Sequence, residues 1–105
     1  MAAPENLTGK QLRHLRALAH ELKPIVQIGK NGFTDAVSAQ IEQALLDHEL
    51  IKVKIGSESP TELEEFQKTI AGALGAVLAQ TIGSTAVLYR RHPDKPKIQL
   101  PRGKK

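Results

Sequence analysis

The stretch Ile25-Val26-Gln27-Ile28-Gly29-Lys30-Asn31-Gly32-Phe33-Thr34-Asp35 constrains the fold more than any other. A β-branched run is followed by two glycines bracketing Lys-Asn. Thr34-Asp35 then reads as a helix N-cap with an acid in the first turn. This is strand, tight loop, helix. Glycine permits positive φ and close approach of another backbone, while loop amides and a helix N-terminus point donors outward, so such a loop suits a phosphate. Gly72-Ala73-Leu74-Gly75 also matches Gly-x-x-Gly. It lies in an apolar helical pattern without a cation, however, and reads as helix packing followed by a C-terminal stop.

The rest of the chain supplies further strands and helices in alternation. Thr8-x-x-Gln11 is a capping-box pattern, and Leu12, Leu15, Leu18/Ala19 and Leu22 recur at helical spacing, predicting a first helix over about Gly9–Leu22. Lys10, Arg13, His14, Arg16 and His20 fall outside its apolar stripe and give it a basic outer face. Lys23-Pro24 ends it, because a residue before proline avoids the α region. The first strand is Ile25–Ile28, and a second helix over Asp35–His48 carries Val37, Ile41, Ala44, Leu45 and His48 on one face. Ile51-Lys52-Val53-Lys54-Ile55 alternates strictly, which puts three β-branched residues on a core and two lysines on the other face of a sheet. Those lysines are either a solvated strand face or a contact surface. Ser59-Pro60-Thr61-Glu62 combines an N-cap, a first-position proline and a capping-box acid ahead of Leu63, Phe66, Ile70 and Leu74, a third helix that ends near Gly75. Ala76–Ile82 and Ala86–Tyr89, joined by Gly83-Ser84-Thr85, read as a hairpin.

The order α-β-α-β-α-β-β predicts a single compact α/β domain, a four-stranded mixed sheet with three helices packed on it. Its expected limits are residues 7–91. Met1–Asn6 is expected to be disordered, and residues 92–105 form a proline-rich basic tail in which Ile98 and Leu100 could dock on the body. The length, 105 residues with 40% apolar and 25% charged, fits one core. Phe33, Phe66 and Tyr89 are the only aromatics, so the core is aliphatic and few rings are available for base stacking.

The net charge of +4 conceals a strong asymmetry. Residues 1–34 carry five Lys/Arg against two acids, residues 35–66 two against eight, and residues 67–105 eight against one. Basic ends around an acidic middle favour a polyanionic partner, if the fold brings the ends together.

Enzyme chemistry finds no support. Cysteine is absent, which removes disulfides, thiolate metal sites and thiol nucleophiles. His14 and His20 are six residues apart and not on one helix face, and Pro24 stands where a zincin-like motif beginning at His20-Glu21 needs its second histidine. No Gly-x-Ser-x-Gly elbow, P-loop or dinucleotide fingerprint occurs. Glu62, Glu64 and Glu65 are what a helix dipole favours in its first turn. The chain is therefore expected to be neither an enzyme nor a carrier of a metal or cofactor. No run approaches signal-peptide or transmembrane length, which predicts a soluble cytoplasmic protein without membrane contact.

Three separated motifs carry a family likeness. Leu18-Ala19-His20-x-Leu22-Lys23-Pro24-Ile25-Val26-Gln27-Ile28-Gly29-Lys30-Asn31-Gly32, Glu49-Leu50-Ile51-Lys52-Val53-Lys54 and Ile82-Gly83-x-Thr85-x-Val87-Leu88-Tyr89-Arg90 resemble the bacterial YhbY family. These are stand-alone CRM domains, named for chloroplast RNA splicing and ribosome maturation. The likeness runs from about Leu7 to Arg91, recurs in Ile98-x-Leu100-Pro101-Arg102, and departs at Ser84, where many relatives carry Lys or His. It implies a fold similar to the C-terminal domain of translation initiation factor three, RNA binding, and a role with precursors of the large ribosomal subunit. The implied RNA site is Gly29, Lys30, Asn31 and Gly32 with the basic residues Lys10, Arg13, Arg16, Lys23, Arg90 and Arg91. Segment order and the basic charge at both chain ends predict that helix one, the loop and Arg90 share one surface of a monomer. The competing reading is a protein-protein adaptor that uses the acidic second and third helices, with the basic ends incidental.

Overall fold

A computed structural model describes residues 7–29, 32–56 and 60–99 of the chain. The expected N-cap Ser59, the termini 1–6 and 100–105, and Lys30-Asn31 lie outside the described residues. Seven elements follow one another in the expected order: α1 (Gly9–Ala19), β1 (Val26–Ile28), α2 (Asp35–His48), β2 (Leu50–Ile55), α3 (Pro60–Leu74), β3 (Val77–Ile82) and β4 (Thr85–Tyr89). The strands form one mixed sheet in the order β1-β2-β4-β3, with β1 parallel to β2 and the other pairs antiparallel.

Local chemistry explains the boundaries. The capping box of α1 is closed in both directions: Gln11 N donates to Thr8 Oγ1 at 3.2 Å, and Thr8 N donates to Gln11 Oε1 at 3.0 Å. The helix stops at Ala19, three residues earlier than its apolar spacing suggests. A proline ring at position 24 excludes a helical carbonyl at His20 and forces Lys23 out of the α region, so the last turn unwinds into the connection to β1. Thr34 caps α2 by accepting from Val37 N at 3.2 Å. Gly75, at φ +63, terminates α3 as expected of the second Gly-x-x-Gly, with Ala76 N donating to Ala71 O at 2.9 Å. In the β3–β4 hairpin the turn is the two residues Gly83-Ser84, and Gly83 supplies the positive φ that such a turn requires.

The sheet divides two cores. On one face Val26, Ile28, Ile51, Val53, Ile55, Ala86 and Leu88 pack with α2 and α3. On the other, Leu15 and Ala19 of α1 meet Leu50, Ala79, Val87 and Tyr89, with Leu7, Leu12 and Ile98 at the margin. The helices therefore lie in two layers, α2 and α3 against one face and α1 against the other. At roughly 25 cal/mol per Å² of apolar surface, a buried leucine such as Leu15 is worth ~2 kcal/mol.

The segment after Arg91, expected as a basic tail in which Ile98 and Leu100 could dock on the body, packs Ile98 at the margin of the α1 core. As far as Gln99 it is described and docked on the body, and its anchor is Glu49. This carboxylate is fully buried between α2 and β2, and it accepts His92 N at 2.8 Å, Lys97 N at 2.9 Å and Ile98 N at 2.7 Å. Lys97 Nζ also donates to Asp47 O. His92 Nδ1 closes the intervening turn by accepting from Asp94 N and Lys95 N. Glu49 itself has φ +66, a conformation that a non-glycine residue adopts at a cost of about 1–2 kcal/mol.

Candidate nucleic-acid interface

Strand register sets the start of the glycine loop and the Arg90-Arg91 pair at opposite ends of the sheet. Val26 is opposite Val53 and Ile28 opposite Ile55, so the glycine loop leaves the end of the sheet where β2 finishes and the Gly83-Ser84 turn lies. Leu50 is opposite Tyr89, so Arg90 and Arg91 leave the other end. With a rise of about 3.3 Å per residue, the two ends are about 17 Å apart along β2.

At the loop end, Gly32 N donates to Gly29 O at 3.0 Å and Thr34 N to Gly32 O at 3.0 Å, folding the turn onto the start of α2. Gly32 has φ +75, whereas Gly29 does not have a positive φ. A Cβ built at either glycine would meet no atom within 4 Å. Backbone conformation therefore accounts for Gly32, while nothing in the described structure demands glycine at 29. The open space there leaves room for a ligand backbone.

On the α1 side, Lys10, Arg13 and Arg16 occupy a helix that contains no acidic residue. Arg16 Nε donates to Ala79 O at 3.3 Å, which fixes its guanidinium beside the outer edge of β3. There it borders an open groove of about 830 Å³ shared with Lys68, Gln80, Gly83 and Ser84. By contrast, α2 holds Asp35, Glu42 and Asp47 and no Lys or Arg, and α3 holds Glu62, Glu64 and Glu65 against Lys68. The sequence asymmetry thus becomes a layer asymmetry. The helix on one face of the sheet is basic, and the helices on the other are acidic.

The expectation that helix one, the loop and Arg90 share a surface is corrected. Arg90 stands at the far end and reaches toward the acidic layer, where it makes a bidentate pair with Glu42 at 2.9 and 2.7 Å and donates to Leu74 O at 3.0 Å. It ties the end of β4 to α2 and to the last turn of α3. Lys23 is exposed near the start of β1, beside Leu18, Leu22 and Ile25, and Arg91 is exposed after β4. Neither is near the loop. Sequence periodicity missed the register consequence: an antiparallel β4 carries whatever follows it away from the end at which β1 finishes.

The pairing has a pH signature. Hydrogen bonding by Arg90 holds the Glu42 carboxyl below its ordinary value of 4.5, against a smaller opposing effect of burial. A depressed carboxyl contributes stability that is present above its unfolded pKa and lost as pH falls through the folded one. Arg90→Ala is therefore expected to lower the melting temperature at pH 7 by several degrees, for a loss of about 1 kcal/mol, and to flatten the acid limb of stability below about pH 4.5. An acid limb identical to wild type in thermal melts from pH 3 to 7 would remove the pair as its cause.

Among the described residues, no helix is long and apolar enough to cross a membrane, and no group of three or more His, Asp or Glu is placed to hold a metal ion. Residues 7–90 match the CRS1 / YhbY (CRM) domain. A Haemophilus influenzae protein named "RNA-binding protein" is 45% identical, the match spanning 91% of this chain and 96% of that one. The Bacillus subtilis protein named "Probable RNA-binding protein YqeI" is 41% identical over 90% and 99% of the respective chains. The solution structure of Staphylococcus aureus protein SAV1595 superposes with a TM-score of 0.79 at 42% identity, covering 91% of this chain and all of the other. With a domain match that spans seven elements and relatives that align from end to end, the chain belongs to the CRS1 / YhbY (CRM) family.

Proposed function

We propose that this protein is a non-enzymatic RNA-binding factor that associates with ribosomal RNA in precursors of the large subunit, as a cytoplasmic monomer. The observation that carries the reading is the segregation of charge by layer. Helix α1 supplies Lys10, Arg13 and Arg16 with no acid beside them, on a fold whose glycine loop opens at one sheet end. Lys30 and Asn31 complete that loop in sequence between Gly29 and Gly32. The relatives named as RNA-binding proteins support RNA as the polyanion, and the family likeness supports its ribosomal origin. Lys23 and Arg91 form an outlying zone that only a longer RNA reaches. Arg90 acts through the fold.

Binding by this surface is electrostatic, since Tyr89 is buried and Phe33 and Phe66 pack toward the α2/α3 core. If about five phosphates are neutralised, log K for a structured RNA falls with log salt at a slope of roughly −3.5 to −4.5. Filter binding across a salt series tests this. A slope near zero, or no binding at low salt, favours an adaptor that works through the acidic layer. Crosslinking in cells, with sequencing of the attached RNA, tests the ribosomal assignment, and recovery of other RNAs alone would overturn it.

A further inference from the structure

Helix α1 covers only half of its face of the sheet. The covered half contains Leu50, Val87, Tyr89 and Ala79. Beyond it, at the loop end, the register aligns one cross-strand row over all four strands: Gln27 opposite Lys54, Lys54 opposite Thr85, and Thr85 opposite Ile82. The strand neighbours Val26, Ile28, Val53, Ile55 and Ala86 enter the α2/α3 core, so alternation turns this row to the α1 side. Gln27 and Lys54 are exposed, Thr85 is half-exposed, and Ile82 is 50% exposed.

We propose that the row Gln27, Lys54, Thr85 and Ile82 is a sugar-phosphate binding strip that joins the glycine loop to Arg16 and distinguishes ribose from deoxyribose. The inference rests on the RNA-binding reading above and specifies which part of the RNA this surface takes. Gly29 follows Ile28 at one end of the strip, and Arg16 borders the Gly83-Ser84 turn at the other. With strands about 4.8 Å apart, the row is about 14 Å long. Lys52, the neighbouring lysine on this face, is engaged by Leu22 O at 3.0 Å. Lys54 has no such partner among the described residues. Neither the four strands nor α1 contains an acidic residue, and Glu21, which follows α1, lies beside Lys52 and Leu50, away from the loop end of this face.

The chemical vocabulary of the row selects the ligand part. It offers no aromatic ring and therefore no stacking platform for bases. An ammonium suits a phosphate, an amide and a hydroxyl can both donate to and accept from a 2′-hydroxyl, and an exposed isoleucine can lie against a sugar.

The test uses the full chain with an RNA hairpin and the DNA hairpin of the same sequence, at about 0.1 M salt. Lys54→Gln should weaken RNA binding about six-fold and make the salt slope shallower by about 0.8, with melting unchanged. Gln27→Ala combined with Thr85→Val should lower the RNA-to-DNA affinity ratio by about ten-fold while leaving DNA binding near wild type. If both variants bind RNA like wild type and keep its ratio, the strip is overturned and the RNA-binding reading stands. If the wild-type protein binds neither hairpin, that reading falls and the strip with it.

Discussion

Glu49→Ala is expected to destabilise the fold by about 4 kcal/mol, several times the loss expected for Arg90→Ala. The carboxylate is fully buried and accepts three backbone amides of the C-terminal segment, and hydrogen bonds to a charged acceptor are worth about 1.5–3 kcal/mol each. Part of that loss is offset because alanine releases three donors to water once the segment lifts. Melting should fall by about 15 °C or more. The segment should become a substrate for limited trypsin proteolysis after Arg91 or Lys97. Glu49→Gly separates two contributions. Glycine relieves the φ of +66, so the variant should recover about 1 kcal/mol relative to alanine while the segment stays released. Glu49→Gln leaves one oxygen for two amides but turns a donor toward the third, and it should fall between wild type and alanine. A wild-type melting temperature and an intact C-terminal segment in Glu49→Ala would show that Ile98 and Lys97 hold the segment without the carboxylate.

Elements governed by local chemistry were legible from the residues alone. The capping box at Thr8, the cap at Thr34, the alternation of Ile51–Ile55 and the glycine stop at Gly75 each act within a few positions, and each element formed where its pattern lies. Glu49 was not legible, because its partners are 43 to 49 residues away and nothing in an isolated acid between a helix and a strand announces them. The same holds for Arg90. Read along the chain it is one of two cations after a strand, and only strand order and the position of Glu42 turn it inward. The charge asymmetry was visible in the sequence, but its spatial meaning depended on which sheet face each helix covers, a matter of topology. Alternation gave Lys52 and Lys54 a common face, while register was needed to set Lys54 level with Gln27 and Thr85.

Replacing Lys10, Arg13 and Arg16 together with glutamine is expected to lower affinity for a short RNA hairpin about two hundred-fold at about 0.1 M salt. Each phosphate contact contributes about 0.8 of a decade under that condition, and loss of three should make the salt slope shallower by about 2.4. Stability should fall by no more than about 1 kcal/mol, from the Arg16 bond alone, and a two hundred-fold loss of affinity beside so small a change separates a binding role from a folding role. Lys10 lies in the first turn of α1, where a cation opposes the helix dipole and where no acid compensates it. Folding alone gives no reason for a lysine there, so Lys10→Glu should raise the melting temperature slightly while weakening RNA binding. Among the described residues, Arg16 is the one of the three with a hydrogen bond to the fold, to Ala79 O, and its loss costs about 1 kcal/mol. A matched pair at the sheet end opposite the glycine loop, Lys23→Gln with Arg91→Gln, removes two cations that lie outside α1 and should weaken the short hairpin far less than the α1 triple does. If instead the far-end pair weakens the short hairpin as much as the α1 triple does, the basic layer is no more than part of a diffuse positive field.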